Sequence, residues 1–78
     1  MHVKLMNIQA NHFKFWTVKI APHYNGASAT ISFGRIQSWK QTKVRLFSSI
    51  SVAETWLVKK AAKKCGQGYE HAPFLAVA

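Results

Sequence analysis

Two alternating segments on either side of one turn constrain this chain more than anything else in it. From Phe13 to Ile20, Trp16, Val18 and Ile20 alternate with Phe15, Thr17 and Lys19. A period of two marks a half-buried β-strand. From Ala27 to Ile36 a second β-branched and aromatic run sets Ala29, Ile31 and Phe33 on one face. The stretch between them, Ala21 to Gly26, reads as a loop. Pro22 fixes φ and lacks a donor, and Asn25-Gly26 is a strong turn dipeptide. Such a chain folds as antiparallel β structure.

Weaker signals extend the pattern. Val3 to Ile8 reads as a first strand. Thr42 to Phe47 reads as a fourth, with Val44 and Leu46 on one side and Lys43, Arg45 and Phe47 on the other. Ser51-Val52-Ala53-Glu54 has the form of a capping box opening a helix that runs to about Cys65. Val52, Ala53, Trp56, Leu57, Ala61 and Cys65 make its apolar stripe. Lys59, Lys60, Lys63 and Lys64 fall on the other side, and Gly66 is the expected C′ residue. The prediction is an α+β domain over residues 1–78: a small antiparallel four-stranded sheet with one C-terminal helix packed on one face. Ala72 to Ala78 are apolar and uncapped, and read as an extra strand or a frayed end, with 71–78 as a flexible tail.

A chain of 78 residues has one core and little area for a deep pocket. It carries 11 Lys and Arg against two acids, Glu54 and Glu70, for a net charge of +9. That excess repels itself and calls for an anionic partner or a solvated basic face. Two acids make a carboxylate-based enzyme improbable, and no catalytic residue is assigned. The four histidines show no metal-ligand spacing, and one cysteine cannot build a structural zinc site, so no metal or cofactor is expected. Cys65 closes the apolar stripe and reads as a small buried hydrophobe. A single cysteine, no bilayer-length apolar stretch and no signal-peptide core make the cytoplasm the default location, with no membrane partner.

The candidate binding residues are Arg35, Trp39, Lys40, Lys43, Arg45, Lys59, Lys60, Lys63 and Lys64. In Phe33-Gly34-Arg35, Phe33 reads as packing, Gly34 as a bulge that frees Arg35, and Arg35 as an anion contact or a structural hydrogen-bonder. Lys43 and Arg45, with Lys40 and Arg35 near in sequence, form a basic stripe or a guarded sheet edge. Trp39 stacks on a base, folds onto the sheet, or meets a protein. The helix lysines are a wet face or a phosphate-attracting one. The function these residues point to is binding of nucleic acid, most simply DNA, with weak sequence preference. The alternative is a protein-interaction module using exposed aromatics of the sheet face, with Trp39 and Phe74-Leu75 at its edges.

Four motifs in order carry a family resemblance. Asn11-His12-Phe13-Lys14-Phe15-Trp16 resembles the N-x-x-K-F-[YW] opening of the WGR domain. Phe33-Gly34-Arg35-Ile36 is similar to the Trp-Gly-Arg core, with Phe33 in place of the tryptophan. Gln41-Thr42-Lys43 with Phe47 is similar to the Gln-x-Lys strand, and Gly68-Tyr69 to the Lys-Gly-Tyr end. The resemblance spans about residues 11 to 70. It implies a twisted antiparallel sheet with one helix on a face, and a module that contacts DNA, as in eukaryotic poly(ADP-ribose) polymerases, or a small bacterial protein of the stand-alone type. Gln37 and Lys40 stand where the family often has glycine.

Overall fold

The computed structural model describes residues 1–9, 13–36, 38 and 40–73. Among these the chain forms β1 (His2–Asn7), β2 (Lys14–His23), β3 (Gly26–Arg35), β4 (Lys40–Phe47), α1 (Ile50–Gly66) and β5 (Glu70–His71). The strands make one antiparallel sheet in the order β4-β3-β2-β1-β5. The class is α+β as expected, but the sheet has five strands, not four. β5 is a two-residue polar strand with no alternation to read. It exists because the outer edge of β1 is open to pairing, and Ala72 N–H extends the contact by donating to the Lys4 carbonyl at 2.8 Å. Ala72 is fully buried, so the chain is pinned as far as that residue; the expectation for 74–78 lies outside the described residues.

The β2–β3 hairpin is longer than its loop signals suggest. β2 continues through Pro22 to His23, leaving Tyr24-Asn25 as the turn and His23 opposite Gly26. The β1 ladder ends at Lys19, with one further bond from Ile20 N–H to the Met1 carbonyl, so Pro22 lies beyond any described strand on that side and a missing N–H is tolerated. Gly26 is the position that requires glycine. Its φ is +155°, and a Cβ there would stand 2.1 Å from the Phe47 carbonyl oxygen. The end of β4 can approach the hairpin this closely only because no side chain intervenes.

The core lies between the sheet and α1. Leu5, Trp16, Val18, Ile20, Ala27 and Ala29 meet Ala53 and Leu57 there. Leu5, Val18 and Leu57 are fully buried, each stabilising the fold by roughly 1.5–3 kcal/mol. Phe33, Phe47, Trp56 and Tyr69 are half-buried around this centre.

The ends of α1 differ from the expectation. The N-cap is Ser49, whose hydroxyl accepts from Val52 N–H at 3.1 Å. Ser51 lies inside the helix, and its carbonyl accepts from Thr55 Oγ1. The helix ends at Gly66 with Gln67 as its C-cap, and Gly68 takes the left-handed conformation at φ +99°. Tyr69 N–H donates to the Lys64 carbonyl and Gly68 N–H to that of Cys65, a Schellman motif whose C′ residue is Gly68, two residues beyond the expected Gly66. The apolar stripe also needs correction. Residues twelve apart are rotated about 120° around a helix. Ala53 is buried, whereas Cys65 at that offset is exposed, as is Val52.

Candidate functional site

The turn fixes where the charges of the hairpin meet. With His23 opposite Gly26, Lys14 falls opposite Arg35, Phe15 opposite Gly34 and Trp16 opposite Phe33. The ladder is continuous through Gly34, so there is no bulge, and Phe33 and Arg35 share the helix side of the sheet. Arg35 reaches solvent because it lies at the end of its strand, beyond the buried centre. Gly34 serves the backbone differently, at φ +154°.

Lys64 completes the cluster from above. Ala53, Leu57, Lys60 and Lys64 occur at i, i+4, i+7 and i+11, a single helical stripe. Lys60 and Lys64 therefore continue the sheet-facing side of α1 past its buried part, rather than joining a wet back. The Lys64 ammonium stands 5.8 Å from the centre of the Trp16 ring and 5.3 Å from that of Tyr69. Partial burial holds its pKa below the ordinary lysine value, with the charges of Lys60, Lys63 and Lys14 adding to the effect. Burial raises the Tyr69 phenol. The Schellman turn sets Tyr69, and Asn7 braces the turn: its Nδ2 donates to the Gln67 carbonyl at 3.4 Å, while its Oδ1 accepts from Gln9 N–H.

Lys14, Arg35 and Lys64 rim a cleft of about 300 Å³ whose walls include Trp16, Phe33 and Tyr69. Next to Lys14 in sequence, Phe13 has φ +47°, uncommon for an aromatic residue, and its carbonyl accepts from Ile36 N–H at 2.7 Å, closing the open end of the hairpin. From the cleft the same side of the sheet runs out along β4. Lys43 lies opposite Ile31 and Arg45 opposite Ala29. The Lys43 ammonium is 5.6 Å from the centre of the Phe33 ring, and the Arg45 guanidinium is 5.2 and 5.6 Å from the centres of Phe47 and Trp56. Aromatic faces beneath cations hold them in place while leaving their donors toward solvent.

A WGR domain family model matches residues 1–74 of this chain. The chain belongs to the WGR domain family. The match covers nearly the whole chain, further than the four motifs alone. Among curated proteins and among solved structures, none matches it.

Of the sequence-predicted residues in this WGR domain, the fold brings Arg35, Lys43, Arg45 and Lys64 to one side of the sheet. Lys60 continues that stripe, and Lys63 is close enough to act on Lys64. Lys40 lies opposite Gly34 and, by alternation, on the other face of the sheet from Lys43 and Arg45. Lys59 lies beside Met1, Ser51 and Glu54, away from the cleft. Trp39 lies outside the described residues, as do Asn11, His12 and Phe74-Leu75. On the face away from α1 Phe15 and Thr17 are buried, and the exposed apolar side chains of β4 there are Val44 and Leu46.

Lys14, Trp16 and Tyr69 belong to the site and were not among its sequence candidates. Equal counting from a turn at Tyr24-Asn25 was the signal that pairs Lys14 with Arg35. Cys65 and His71 line a separate apolar-walled hollow with Val3 and Leu57. Among the described residues no cluster could hold a metal ion, and no helix is long and apolar enough to cross a membrane.

Proposed function

We propose that this WGR domain is a non-catalytic module that binds nucleic acid, DNA in the first instance, through the phosphate backbone and with weak sequence preference. The observation that carries this reading is the convergence of Lys14, Arg35 and Lys64 on one aromatic-walled cleft, continued by Lys43 and Arg45 along β4. Like charges directly opposite in a sheet are unfavourable, and an anion between them offsets that cost. The family's association with nucleic acid in poly(ADP-ribose) polymerases agrees with it. Arginine and lysine donors fix a backbone without reading bases. The half-buried Phe33 and Tyr69 rings leave the cleft room for a base or sugar beside the phosphate. A cytoplasmic setting is part of the proposal.

The experiment is fluorescence anisotropy with duplex, nicked duplex, single-stranded DNA and RNA across a salt series. A linear fall of log affinity against log salt, with a slope of about −0.9 per duplex phosphate engaged, is the expected result. No binding at low salt would reject the reading.

A further inference from the structure

The side of the sheet away from α1 carries its own donors. Register sets its residues in rows: His2, Lys19, Thr30 and Val44 form one, and Lys4, Thr17, Ser32 and Thr42 the next. Lys40 ends a third row that begins at Glu70 and Met6. Among the described residues Glu70 is the only acid on this face, one row from Lys4 and two from Lys19. Lys19, Lys40 and Thr42 are exposed, Lys4, Thr30 and Ser32 are half-buried, and Thr17 and Phe15 at the centre of the face are buried. The Ser32 and Thr42 hydroxyls lie 3.4 Å apart, side by side across β3 and β4. The His2 imidazole is held below its ordinary pKa, first by burial and then by the charges of Lys4, Lys19 and the N-terminus, so positive potential is concentrated at this corner.

We propose that this face is a second phosphodiester site, so that one domain holds two nucleic-acid segments at once, one on each side of its sheet. The proposal rests on the nucleic-acid reading of the helix side and adds a valence to it. Lys4 and Lys19 supply the charge, and Thr30, Ser32 and Thr42 supply hydroxyl donors for non-bridging phosphate oxygens. Successive side chains of a strand leave the sheet in opposite directions. A duplex lying on Lys43 and Arg45 therefore cannot also reach Lys4 and Lys19, and that corner is left for another segment. Val44 and Leu46 border this site at the β4 margin without occupying the Lys4–Lys19 corner.

The test uses two populations of short duplex, one donor-labelled and one acceptor-labelled. Energy transfer should rise as protein is added and fall again in excess, when each duplex acquires its own protein. K4Q/K19Q should abolish the transfer while leaving the anisotropy-measured affinity for a single duplex nearly unchanged. Thermal melting confirms that the variant is folded. Should it not fold, wild-type protein gives a second readout by NMR: the His2 titration midpoint should move to higher pH in excess duplex. Binding with no transfer at any ratio, transfer undiminished in K4Q/K19Q, or a His2 midpoint that stays put would each overturn the second site and leave the helix-side reading standing. Absence of all binding would overturn both.

Discussion

Lys14 and Arg35 face each other directly across the β2–β3 ladder, two like charges on the same side of the sheet. Cross-strand like charges destabilise by roughly 0.2–1 kcal/mol. Lys64 adds a third charge above them, and its depressed pKa includes the influence of Lys14. A fold gains nothing from this arrangement in the absence of an anion. Lys14→Thr should therefore raise the melting temperature by a few degrees, the expected scale for such a gain in a domain of this size. The same substitution should weaken duplex binding. Added pyrophosphate should stabilise the wild type more than the variant, since a ligand of the native state shifts unfolding by mass action. A variant less stable than the wild type with unchanged affinity would remove Lys14 from the site.

Ser49 and Ser51 separate a true cap from its sequence look-alike. Both precede the apolar stripe, and Ser51 has Glu54 three residues on. Only Ser49 has extended dihedrals and accepts from Val52 N–H. Ser49→Ala should cost about 1 kcal/mol in urea unfolding. Ser51→Ala should be neutral or slightly stabilising, because alanine is the better helix former. Equal losses at both positions would restore the capping box.

Pattern made the hairpin, the faces of β4 and the helix readable in the sequence, because each rests on alternation or on helical spacing. The residues that escaped reading depend on long-range geometry. β5 is too short to have a pattern and is created by the free edge of β1. Lys64 looks like one of four equivalent lysines until the phase of α1 is set by Ala53 and Leu57, which turns Lys60 and Lys64 toward the sheet. Cys65 was expected in the core because a stripe drawn at every fourth residue drifts around the helix. Gly34 suggested a bulge since Arg35 had to reach solvent, yet the end of the strand provides that exit without one.

Alkaline pH isolates Lys64. Its folded pKa lies below the lysine value of 10.5, so in the rising limb the unfolded chain holds the proton that the folded chain has released. Stability contributed by this group therefore increases with pH through its folded pKa toward 10.5. Tyr69 acts in the opposite sense, because its raised folded pKa means that stability falls as pH passes the phenol's ordinary 10.0. In urea titrations the wild type should gain stability relative to Lys64→Gln as pH rises toward 10, and the gain should be largest at low salt. A difference between the two proteins that is flat with pH would contradict the partly buried position of Lys64.

Gly26→Ala tests the closure of the hairpin against β4. The new Cβ would meet the Phe47 carbonyl oxygen at 2.1 Å and Ser48 backbone atoms at 2.7 and 2.8 Å, none of which can swing aside as a side-chain tip can. The φ of +155° adds strain for any L side chain. The expected loss is on the order of 2–3 kcal/mol in chemical denaturation. A loss under about 0.5 kcal/mol, the range of ordinary surface substitutions, would mean that the two segments separate readily.

Arg45 and Lys59 predict opposite outcomes in one binding assay. Both are exposed cations in the same strongly basic chain, and net charge alone treats them alike. Arg45 lies over Phe47 and Trp56 on the helix side of β4, in line with Lys43 and the cleft. Lys59 lies beside Glu54 on another side of α1. Arg45→Gln should weaken duplex binding and reduce the slope of log affinity against log salt by about 0.9, the contribution of one phosphate contact. Lys43→Glu and Arg45→Glu should weaken it further without unfolding the domain. Lys59→Gln should leave the slope unchanged. Equal effects at Arg45 and Lys59 would mean that diffuse charge, not the side of the sheet, governs binding.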